Sequence, residues 1–508
     1  MARIRAPELP SHYPWLNTDR PLSLKDLKGR IVLLDFWTYC CINCLHILPD
    51  LKYLEQKYKD CLTVIGVHSA KFDNEQETEN IRQAILRYDI EHPVLVDRSF
   101  RVWEEYTVRA WPTLMVIDPD GYVIGSVAGE GKREMLDQLI AKIIQEHREK
   151  GSVSSQELSI SLEKQRKPLA SRLAFPGKVF ADEASHQLFI ADSGYHRIVV
   201  STLSGEIRHI IGTGTAGLKD GCFAEAQFFA PQGMAFDRPN HTLYVADTEN
   251  HTIRRVNLER QTVETIAGTG TQSHQIRPHC GNALETALNS PWDLVKIGES
   301  LFIAMAGSHQ IWTMSLQDNT IGTYAGTGAE ACVDGHKDEA TFAQPSGITT
   351  NGKELFIADS EGSTIRAIDL KTSQVRTVCG SGDLFGFGDV DGQGEQVLLQ
   401  HCLGVEFANT TLWIADTYNH KIKLVDPQTR DCQSILGDGR AGLIDDRGMN
   451  TRFYEPSGLS IAGNFLYIAD TNNHVIRRAN LETLTITTLS FPELCAPDVC
   501  VPSQITNS

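Results

Sequence analysis

The sequence predicts two domains of different fold class: a small α/β sandwich, followed by an all-β six-bladed β-propeller. Two observations predict this arrangement. The first 150 residues alternate apolar, strand-like runs with amphipathic, helix-like ones. Beyond residue 170, a five-residue pattern, mostly of the form Leu-aromatic-Ile-Ala-Asp, recurs six times. The chain has 508 residues, which is enough for more than one hydrophobic core.

Composition excludes several classes of function. The net charge is −17 at pH 7, which disfavours nucleic-acid partners because phosphate contacts require a basic surface. The first ten residues contain no apolar signal-peptide run, and no later segment is long enough to cross a bilayer. Twelve cysteines are too few for a disulfide scaffold. We therefore expect a cytoplasmic protein with no nucleic-acid or membrane partner, no metal and no other cofactor.

In the first domain, hydrophobic periodicity predicts a βαβ unit, then a hairpin, then a closing helix. The predicted strands cover residues 31–37, 62–68, 94–96, 113–117 and 122–127. The predicted helices cover residues 42–58, part of 75–88, about 100–106, and 132–147. An Asp-Pro-Asp-Gly turn signal separates the last two strands. These elements together form a small α/β sandwich.

A Cys-x-x-Cys motif directly after the first predicted strand indicates a redox site. Cys41 and Cys44 lie three residues apart at the start of a helix, so they share one face and can close a disulfide. The helix N-terminus favours the thiolate form of Cys41. The adjacent Cys40 is either an inert, small apolar residue or a third redox thiol that exchanges with Cys41.

The segment from Asp35 to Cys44 resembles the active-site segment of the thioredoxin family, and Pro49 stands where that family has a helix-kinking proline. A second motif, Ala-Trp-Pro-Thr at residues 110–113, is similar to the family's cis-proline loop. The resemblance covers most of residues 15–147. It departs from the common pattern at Ile42-Asn43, which replaces Gly-Pro between the cysteines, and at Cys40, which replaces an aromatic residue.

The resemblance to thioredoxin implies a role for each site residue. Cys41 attacks a substrate disulfide, and Cys44 resolves the mixed disulfide that forms. Asp35, buried beneath the dithiol, has a raised pKa and accepts the proton of Cys44. From the residues alone, Asp35 could equally bond a backbone amide. Pro112, following a cis peptide bond, and Trp111 flank an extended substrate segment, although Trp111 could also be a core residue.

The six repeats predict the propeller. Their last residues are Asp192, Asp247, Met305, Asp359, Asp416 and Asp470, with spacings of 55, 58, 54, 57 and 54 residues. Each repeat contains four short β-prone runs; in the second repeat these are residues 233–236, 242–246, 252–256 and 263–267. Four strands repeated six times specify a six-bladed β-propeller, whose radial closure leaves only short sheet edges.

The repeats resemble NHL repeats, with Pro-x-Gly entering the inner strand and Asp-Thr-x-Asn-His after the second strand. Five histidines share one repeat position: His196, His251, His309, His420 and His474. Equivalent turns of different blades lie far apart, so we expect each histidine to bond the preceding aspartate rather than a metal. The whole chain resembles the family of NHL repeat-containing protein 2 and its bacterial relatives, in which a thioredoxin-like domain precedes NHL repeats.

These observations predict a thioredoxin-like domain at 1–147, a polar linker at 148–170, the propeller at 171–490 and a C-terminal tail at 491–508. The favoured function is a thiol-disulfide oxidoreductase whose propeller binds protein substrates or partner proteins. The alternative is a non-catalytic interaction scaffold with a vestigial thioredoxin-like domain, because fold does not imply function. A propeller hydrolase ranks last, because Asp293 and Glu406 are the only obvious acids of the inner strands and do not make a metal cage.

Overall fold

The computed structural model describes residues 3–154, 160–275 and 279–497. It divides the chain into two compact units, Met1–Leu169 and Ala170–Ser508. The first unit is an α/β sandwich and the second is a six-bladed β-propeller, so the predicted fold class is confirmed. Among the described residues, no helix is both long enough and apolar enough to cross a membrane.

The first unit contains one seven-stranded sheet with helices around it. The strands are β1 (Ile4–Arg5), β2 (Trp15–Leu16), β3 (Ile31–Trp37), β4 (Leu62–His68), β5 (Val94–Val96), β6 (Thr113–Ile117) and β7 (Tyr122–Ala128). The helices are α1 (Ile42–His46), α2 (Leu48–Lys57), α3 (Thr78–Arg87), α4 (Arg101–Glu105), α5 (Arg133–Glu149) and α6 (Glu163–Arg166). The strand order is β1-β7-β6-β3-β4-β5-β2. Strands β3, β4 and β5 run parallel, whereas β6 is antiparallel to β3.

Strand β3 lies at the centre of this sheet, and apolar side chains pack against it on both faces. Val32, Leu34 and Phe36 pack into one apolar cluster, and Ile31 and Leu33 pack into another. A strand covered on both faces reads as a continuous apolar run, as this one does. Packing on both faces fixes the position of the C-terminal end of β3, where the dithiol loop begins.

The predicted helix 42–58 is divided in two, a result that the single amphipathic pattern did not predict. Ile47 ends α1 and begins α2, and Pro49 occupies the first turn of α2. Proline has no N–H to donate and its ring excludes an ordinary helix interior, so the chain breaks just before it. The break keeps α1 short, with Cys41 at its N-cap and Cys44 within its first turn.

Part of the segment predicted as a linker packs on the first unit. Helix α5 extends to Glu149, residues 155–159 lie outside the described residues, and α6 follows. The Glu163 N–H donates to Asn17 Oδ1 at 2.8 Å, and Arg82 Nε donates to Glu163 Oε2 at 2.9 Å. Because Glu163 is buried, these bonds fix α6 on the surface of the sandwich.

The second unit consists of six antiparallel sheets, one for each sequence repeat. From the innermost strand outward, the strands of the six blades are as follows: Val179–Asp182, Gln187–Asp192, Arg197–Thr202 and Ile207–Ile211; Pro231–Asp237, Thr242–Asp247, Thr252–Asn257 and Thr262–Ala267; Pro291–Ile297, Ser300–Met305, Gln310–Ser315 and Thr320–Ala325; Pro345–Thr350, Glu354–Asp359, Thr364–Asp369 and Gln374–Cys379; Gly404–Ala408, Thr411–Asp416, Lys421–Val425 and Asp431–Leu436; and Pro456–Ala462, Phe465–Asp470, Val475–Asn480 and Ile486–Thr488. Blades 2 to 5 have an additional short outermost strand each: Gly221–Cys222, Cys280–Asn282, Gly335–His336 and Gly392–Gln393.

The five repeat histidines connect neighbouring blades, so the predicted bond to the preceding aspartate is wrong. Each adopts a left-handed backbone conformation, with φ between 49 and 57°. Each Nδ1 accepts a hydrogen bond of 3.0–3.2 Å from a backbone N–H of the next blade. The donors to His196, His251, His309, His420 and His474 are Ala230, Ser290, Gln344, Glu455 and Phe175, respectively. The bond from Phe175 to His474 joins the first blade to the last and helps to close the ring.

The repeat aspartates pair instead with a buried cation in the same blade. The pairs are Asp192–Arg197, Asp247–Arg254, Asp359–Arg366, Asp416–Lys423 and Asp470–Arg477. The N–O distances are 2.7–3.2 Å. The third blade has Met305 at this position and no such pair. Each pair satisfies two charges that would be costly to bury alone.

Candidate dithiol site

The two cysteines of the motif lie at the start of α1, with Cys41 at its N-cap and Cys44 in its first turn, directly after the loop that follows β3. The Cys41 N–H donates to Thr38 O at 3.4 Å, and the Cys44 N–H donates to Cys41 O at 3.0 Å. Both cysteines are free thiols. Cys41 is partly exposed, whereas Cys44 is completely buried. A substrate can therefore reach Cys41 but not Cys44.

The buried partner of this pair does not ionise easily. Burial raises the pKa of Cys44 well above its usual range, and the neighbouring thiol of Cys41 and the carboxylate of Asp35 raise it further. Burial has this effect because it penalises the charged form of any acid. Cys44 therefore needs a base to remove its proton before it can attack a mixed disulfide.

Asp35 lies close enough to Cys44 for its charge to raise the pKa of that thiol. It lies on β3 with 0 % of its surface exposed, and neither carboxylate oxygen has a hydrogen-bond partner among the described residues. Burial raises the pKa of Asp35 to about 7, although the nearby His92 acts in the opposite direction. A group with a pKa near 7 can both accept and release a proton at physiological pH. The observed environment excludes the structural alternative, a hydrogen bond from Asp35 to a backbone amide.

A buried polar pair lies beside Asp35. His92 Nδ1 is 3.5 Å from Glu55 Oε2, and His92 is buried while Glu55 is partly exposed. Burial alone would lower the pKa of His92, but the nearby carboxylates of Glu55, Asp35 and Glu91 together raise it. Gly66, which pairs with Asp35 in the sheet, allows Trp37 and His92 to pack closely against it. A Cβ at this position would lie 2.9 Å from Trp37 Nε1 and 3.4 Å from His92 Nε2.

The loop before β6 contains the cis peptide bond that the thioredoxin resemblance implies, between Trp111 and Pro112. Phe36 of β3 pairs with Thr113 of β6 in antiparallel register. The end of β3 and the start of β6 therefore lie at the same edge of the sheet, which places Pro112 on the side of the dithiol loop.

Trp111 belongs to a partly exposed aromatic cluster rather than to the core. Its ring lies 4.7 Å from that of Trp103 and 6.1 Å from that of Phe100, centroid to centroid. All three side chains are half-buried. Trp103 and Phe100 were not predicted to belong to the site, because they precede the Trp-Pro motif by several residues and the sequence gives no sign of the contact. The cluster offers an apolar surface beside the cis proline.

Glu75 was also not predicted to belong to the site, although its carboxylate accepts a hydrogen bond from the dithiol loop. Its Oε1 accepts from the Cys40 N–H at 2.9 Å, and its Oε2 accepts from the N–H groups of Lys71 and Phe72 at 3.0 and 2.9 Å. Glu75 is fully buried. A single glutamate in a polar stretch reads as a surface residue, so only the folded chain reveals that it is surrounded by backbone donors.

Glu75→Gln is therefore expected to loosen the dithiol loop. The amide nitrogen of Gln cannot accept a hydrogen bond, so at least one buried N–H would lose its partner, at a cost of about 1.5–3 kcal/mol. Alkylation of Cys40 in the native protein should become faster, as measured by mass spectrometry against time. Glu77→Gln is the matched control, because Glu77 is exposed. Equal alkylation of Cys40 in the parent protein and in Glu75→Gln would contradict this role.

Cys40 is buried with 2 % of its surface exposed, and its Sγ lies 3.9 Å from Thr38 Oγ1. A protein substrate cannot reach this thiol while the loop keeps its conformation. A redox role of Cys40 would therefore require exchange with Cys41 inside the protein.

One group of side chains in the described part of the chain could in principle hold a metal ion, and it lies away from the dithiol. It consists of Asp118, Asp120 and His147. The Arg3 guanidinium forms ion pairs with both aspartates. The His147 Nδ1 also lies 2.8 Å from Ser152 Oγ. These side chains therefore already have protein partners.

The fold and the site together define a thioredoxin-like domain joined to an NHL-type propeller. A thioredoxin-like family model matches residues 29–123, and an NHL repeat model matches residues 230–255. NHL repeat-containing protein 2 of Bos taurus is 43% identical over 520 residues, which cover 95% of this chain and 71% of that protein. The chain belongs to the NHL repeat-containing protein 2 family.

Two further relatives extend the comparison. SUPPRESSOR OF QUENCHING 1, a chloroplastic protein of Arabidopsis thaliana, is 46% identical over 94% of this chain, but the chain spans only 46% of that protein. Thiol-disulfide oxidoreductase ResA of Bacillus cereus is 32% identical over 124 residues, which cover 24% of this chain and 69% of that protein. The first relative matches nearly the whole chain, whereas the second matches a stretch of 124 residues only.

Proposed function

We propose that this protein is a thiol-disulfide oxidoreductase that uses the Cys41–Cys44 dithiol. The observation that carries the proposal is the pairing of a reachable thiol with a buried thiol, near a buried carboxyl group that has no hydrogen-bond partner in the described part of the chain. An unpaired carboxyl group in a protein core is destabilising, so its presence here calls for a chemical role. Proton transfer from Cys44 to Asp35 is such a role.

The reaction proceeds in two exchange steps. The thiolate of Cys41 attacks one sulfur of a substrate disulfide, which forms a mixed disulfide and releases the other substrate sulfur as a thiolate. Asp35 then accepts the proton of Cys44, and the Cys44 thiolate attacks the sulfur of Cys41. The second substrate sulfur leaves, so the substrate gains two electrons and the protein holds a Cys41–Cys44 disulfide. An external dithiol must reduce this disulfide before the next cycle.

Substrate binding is assigned to the cis-proline loop and, on a larger scale, to the propeller. Trp111 and Pro112 lie at the dithiol edge of the sheet, where an extended segment can contact both the aromatic cluster and open backbone groups. Propellers are commonly binding platforms, and here the propeller would select protein substrates or partner proteins. A reducing compartment such as the cytoplasm would keep the dithiol in its active, reduced form.

The alternative is an interaction scaffold whose thioredoxin-like domain no longer reacts. The departures at Ile42-Asn43 and Cys40 favour this alternative, because the residues between the cysteines influence redox potential. Burial of Cys44 beside Asp35 favours the enzyme, since a scaffold has no use for a costly unpaired carboxyl group. One experiment, the trapping of a covalent mixed disulfide, distinguishes the two functions.

Cys44→Ser is expected to trap the mixed disulfide. Without the resolving thiol, Cys41 would remain bound to the substrate, and insulin offered as a model disulfide would form an adduct that dithiothreitol releases. The adduct would be measured by mass spectrometry of the intact protein. The matched control, Cys222→Ser, changes an exposed propeller cysteine and should form little stable adduct. Adduct formation by Cys41→Ser/Cys44→Ser equal to that of Cys44→Ser would rule out the assignment.

A further inference from the structure

The inner strands of all six blades surround a cavity of about 240 Å³ on the axis of the propeller. Its walls include aromatic and aliphatic side chains, among them Phe180 and Phe236, and four charged side chains. The charged residues are Lys178, Asp293, Lys296 and Glu406. A cavity that combines apolar walls with a few convergent polar groups can hold a small ligand.

Lys178 closes the end of this cavity where the inner strands begin. Its side chain crosses the axis, and Nζ donates to Asp293 Oδ2 at 3.1 Å, to Ser346 O at 2.8 Å and to Leu403 O. These three bonds use all three protons of the ammonium group. The charge of Asp293 is thereby compensated. The second lysine of the lining, Lys296, has its Nζ 3.2 Å from Asp237 Oδ2, so a carboxylate also compensates the charge of this lysine.

Glu406 is the one charged group of the lining that has no opposite charge within ion-pair distance among the described residues. Its Oε1 accepts from the Ile461 N–H at 3.3 Å, and its Oε2 lies 3.5 Å from Thr349 Oγ1. Burial raises the pKa of Glu406 to about 7, and the charge of Asp293 contributes in the same direction. A carboxylate that is removed from water and has no cation beside it lowers the stability of the folded protein, and a bound cation would offset that loss.

The bond from Ile461 does not explain why this residue is a glutamate. Equivalent bonds brace neighbouring blades around the ring: Ser460 Oγ accepts from the Ala181 N–H at 3.0 Å, and Thr349 Oγ1 accepts from the Phe407 N–H at 3.3 Å. A hydroxyl group is therefore sufficient for the brace. The negative charge of Glu406 exceeds what the fold requires at this position.

We propose that the axial cavity of the propeller binds a small primary ammonium ion, free or at the end of a lysine side chain, through an ion pair with Glu406. A metal ion is a poorer fit, because calcium takes six to eight oxygen ligands and Glu406 is the only uncommitted carboxylate of the lining. The apolar walls suit a short alkyl chain behind the charged group. This site is independent of the dithiol chemistry.

Calorimetric titration of the full chain with n-butylammonium at pH 8 tests the proposal, with n-butanol as the neutral probe of the same shape. We expect n-butylammonium to bind at least about ten-fold more tightly than n-butanol, the factor that corresponds to one favourable buried ion pair of about 1.4 kcal/mol. Glu406→Gln keeps an oxygen for the Ile461 N–H but removes the charge, so it should abolish the preference. Glu395→Gln, whose side chain is 77% exposed, should retain it.

The pH dependence provides a second test that does not need a variant. Lys178 with Asp293 and Lys296 with Asp237 face Glu406 as compensated pairs, so Glu406 is the group of the lining that titrates near neutrality. With a pKa of about 7, its ionised fraction falls about ten-fold between pH 8 and pH 6, and the affinity for n-butylammonium should fall equally.

Two outcomes would overturn the proposal: equal affinity for n-butylammonium and n-butanol, or unchanged binding of n-butylammonium by Glu406→Gln. The tripeptide Gly-Lys-Gly distinguishes the source of the ammonium group. Tighter binding of the tripeptide than of n-butylammonium would assign the site to a lysine of a partner protein, and weaker binding would assign it to a free amine.

Discussion

Asp35→Asn is expected to stabilise the thioredoxin-like domain above neutral pH. The folded state raises the pKa of Asp35 from 3.8 to about 7, so the folded protein binds more protons than the unfolded chain between these values. Stability contributed by this group therefore falls as the pH rises from about 4 to 7. The difference corresponds to up to about 4 kcal/mol above pH 7, which the uncharged amide would recover in part.

The same substitution is expected to slow the chemistry. Cys44 would lose the base that accepts its proton, and general-base catalysis contributes about 10²–10⁴-fold to such a step. In the parent protein, resolution of the mixed disulfide should accelerate as the pH rises through about 7, the pKa of Asp35. In Asp35→Asn this rise should be absent. Stopped-flow measurement of substrate release from the mixed disulfide, from pH 5 to pH 9, records both effects.

Asp60→Asn provides the control for both measurements, because Asp60 is exposed in the same domain. Its stability and its pH profile should follow those of the parent protein. The assignment of Asp35 fails if Asp35→Asn resolves the mixed disulfide at the parent rate across the whole pH range. A gain in stability with unchanged kinetics would show that the carboxyl group is buried without acting as the base.

Arg254→Met is expected to lower the free energy of unfolding of the propeller strongly. Arg254 is completely buried and donates to Asp247 Oδ2 at 2.7 Å, to Asp220 Oδ1 at 2.8 Å and to two backbone carbonyls. Burial raises the pKa of Asp247 to about 6 even beside this cation, so removal of the guanidinium would leave an acid in an unfavourable place. Breaking a buried pair from one side costs about 3–5 kcal/mol.

Arg254→Lys is the matched control, because the fifth blade uses Lys423 with Asp416 in the same way, at 3.2 Å. The lysine variant should retain most of the propeller's unfolding free energy, measured by denaturant titration with far-UV circular dichroism. The interpretation is wrong if Arg254→Met is as stable as Arg254→Lys. That result would mean that the pairs add little to the cohesion of each blade.

The six-fold repeat made the propeller predictable, because one short apolar pattern specified the same buried strand six times. The two-residue strands Ile4–Arg5 and Gly221–Cys222 were not predicted, since so short a run carries no period. The histidine bonds were assigned to the wrong partner for a related reason. His420 lies four residues after Asp416 but bonds Glu455 of the next blade, and sequence proximity gives no information about contacts between blades.

The dithiol site was predictable where its parts are contiguous. Cys41 and Cys44 share one motif, and Pro112 belongs to a second motif of the same family. Glu75 and Trp103 come from other parts of the chain, and each looks like an ordinary surface or core residue in its local sequence. Their contribution depends on tertiary contacts: three backbone donors in one case and an aromatic neighbour in the other.

The rate at which the full chain reduces insulin disulfides, with an external dithiol as electron donor, tests the central claim most directly. The parent protein should accelerate the reaction well above the donor alone, Cys222→Ser should match the parent, and Cys41→Ser should fall to the rate of the donor. A parent protein no faster than the donor, or a Cys41→Ser variant as fast as the parent, would contradict the assignment of the dithiol as a catalytic centre.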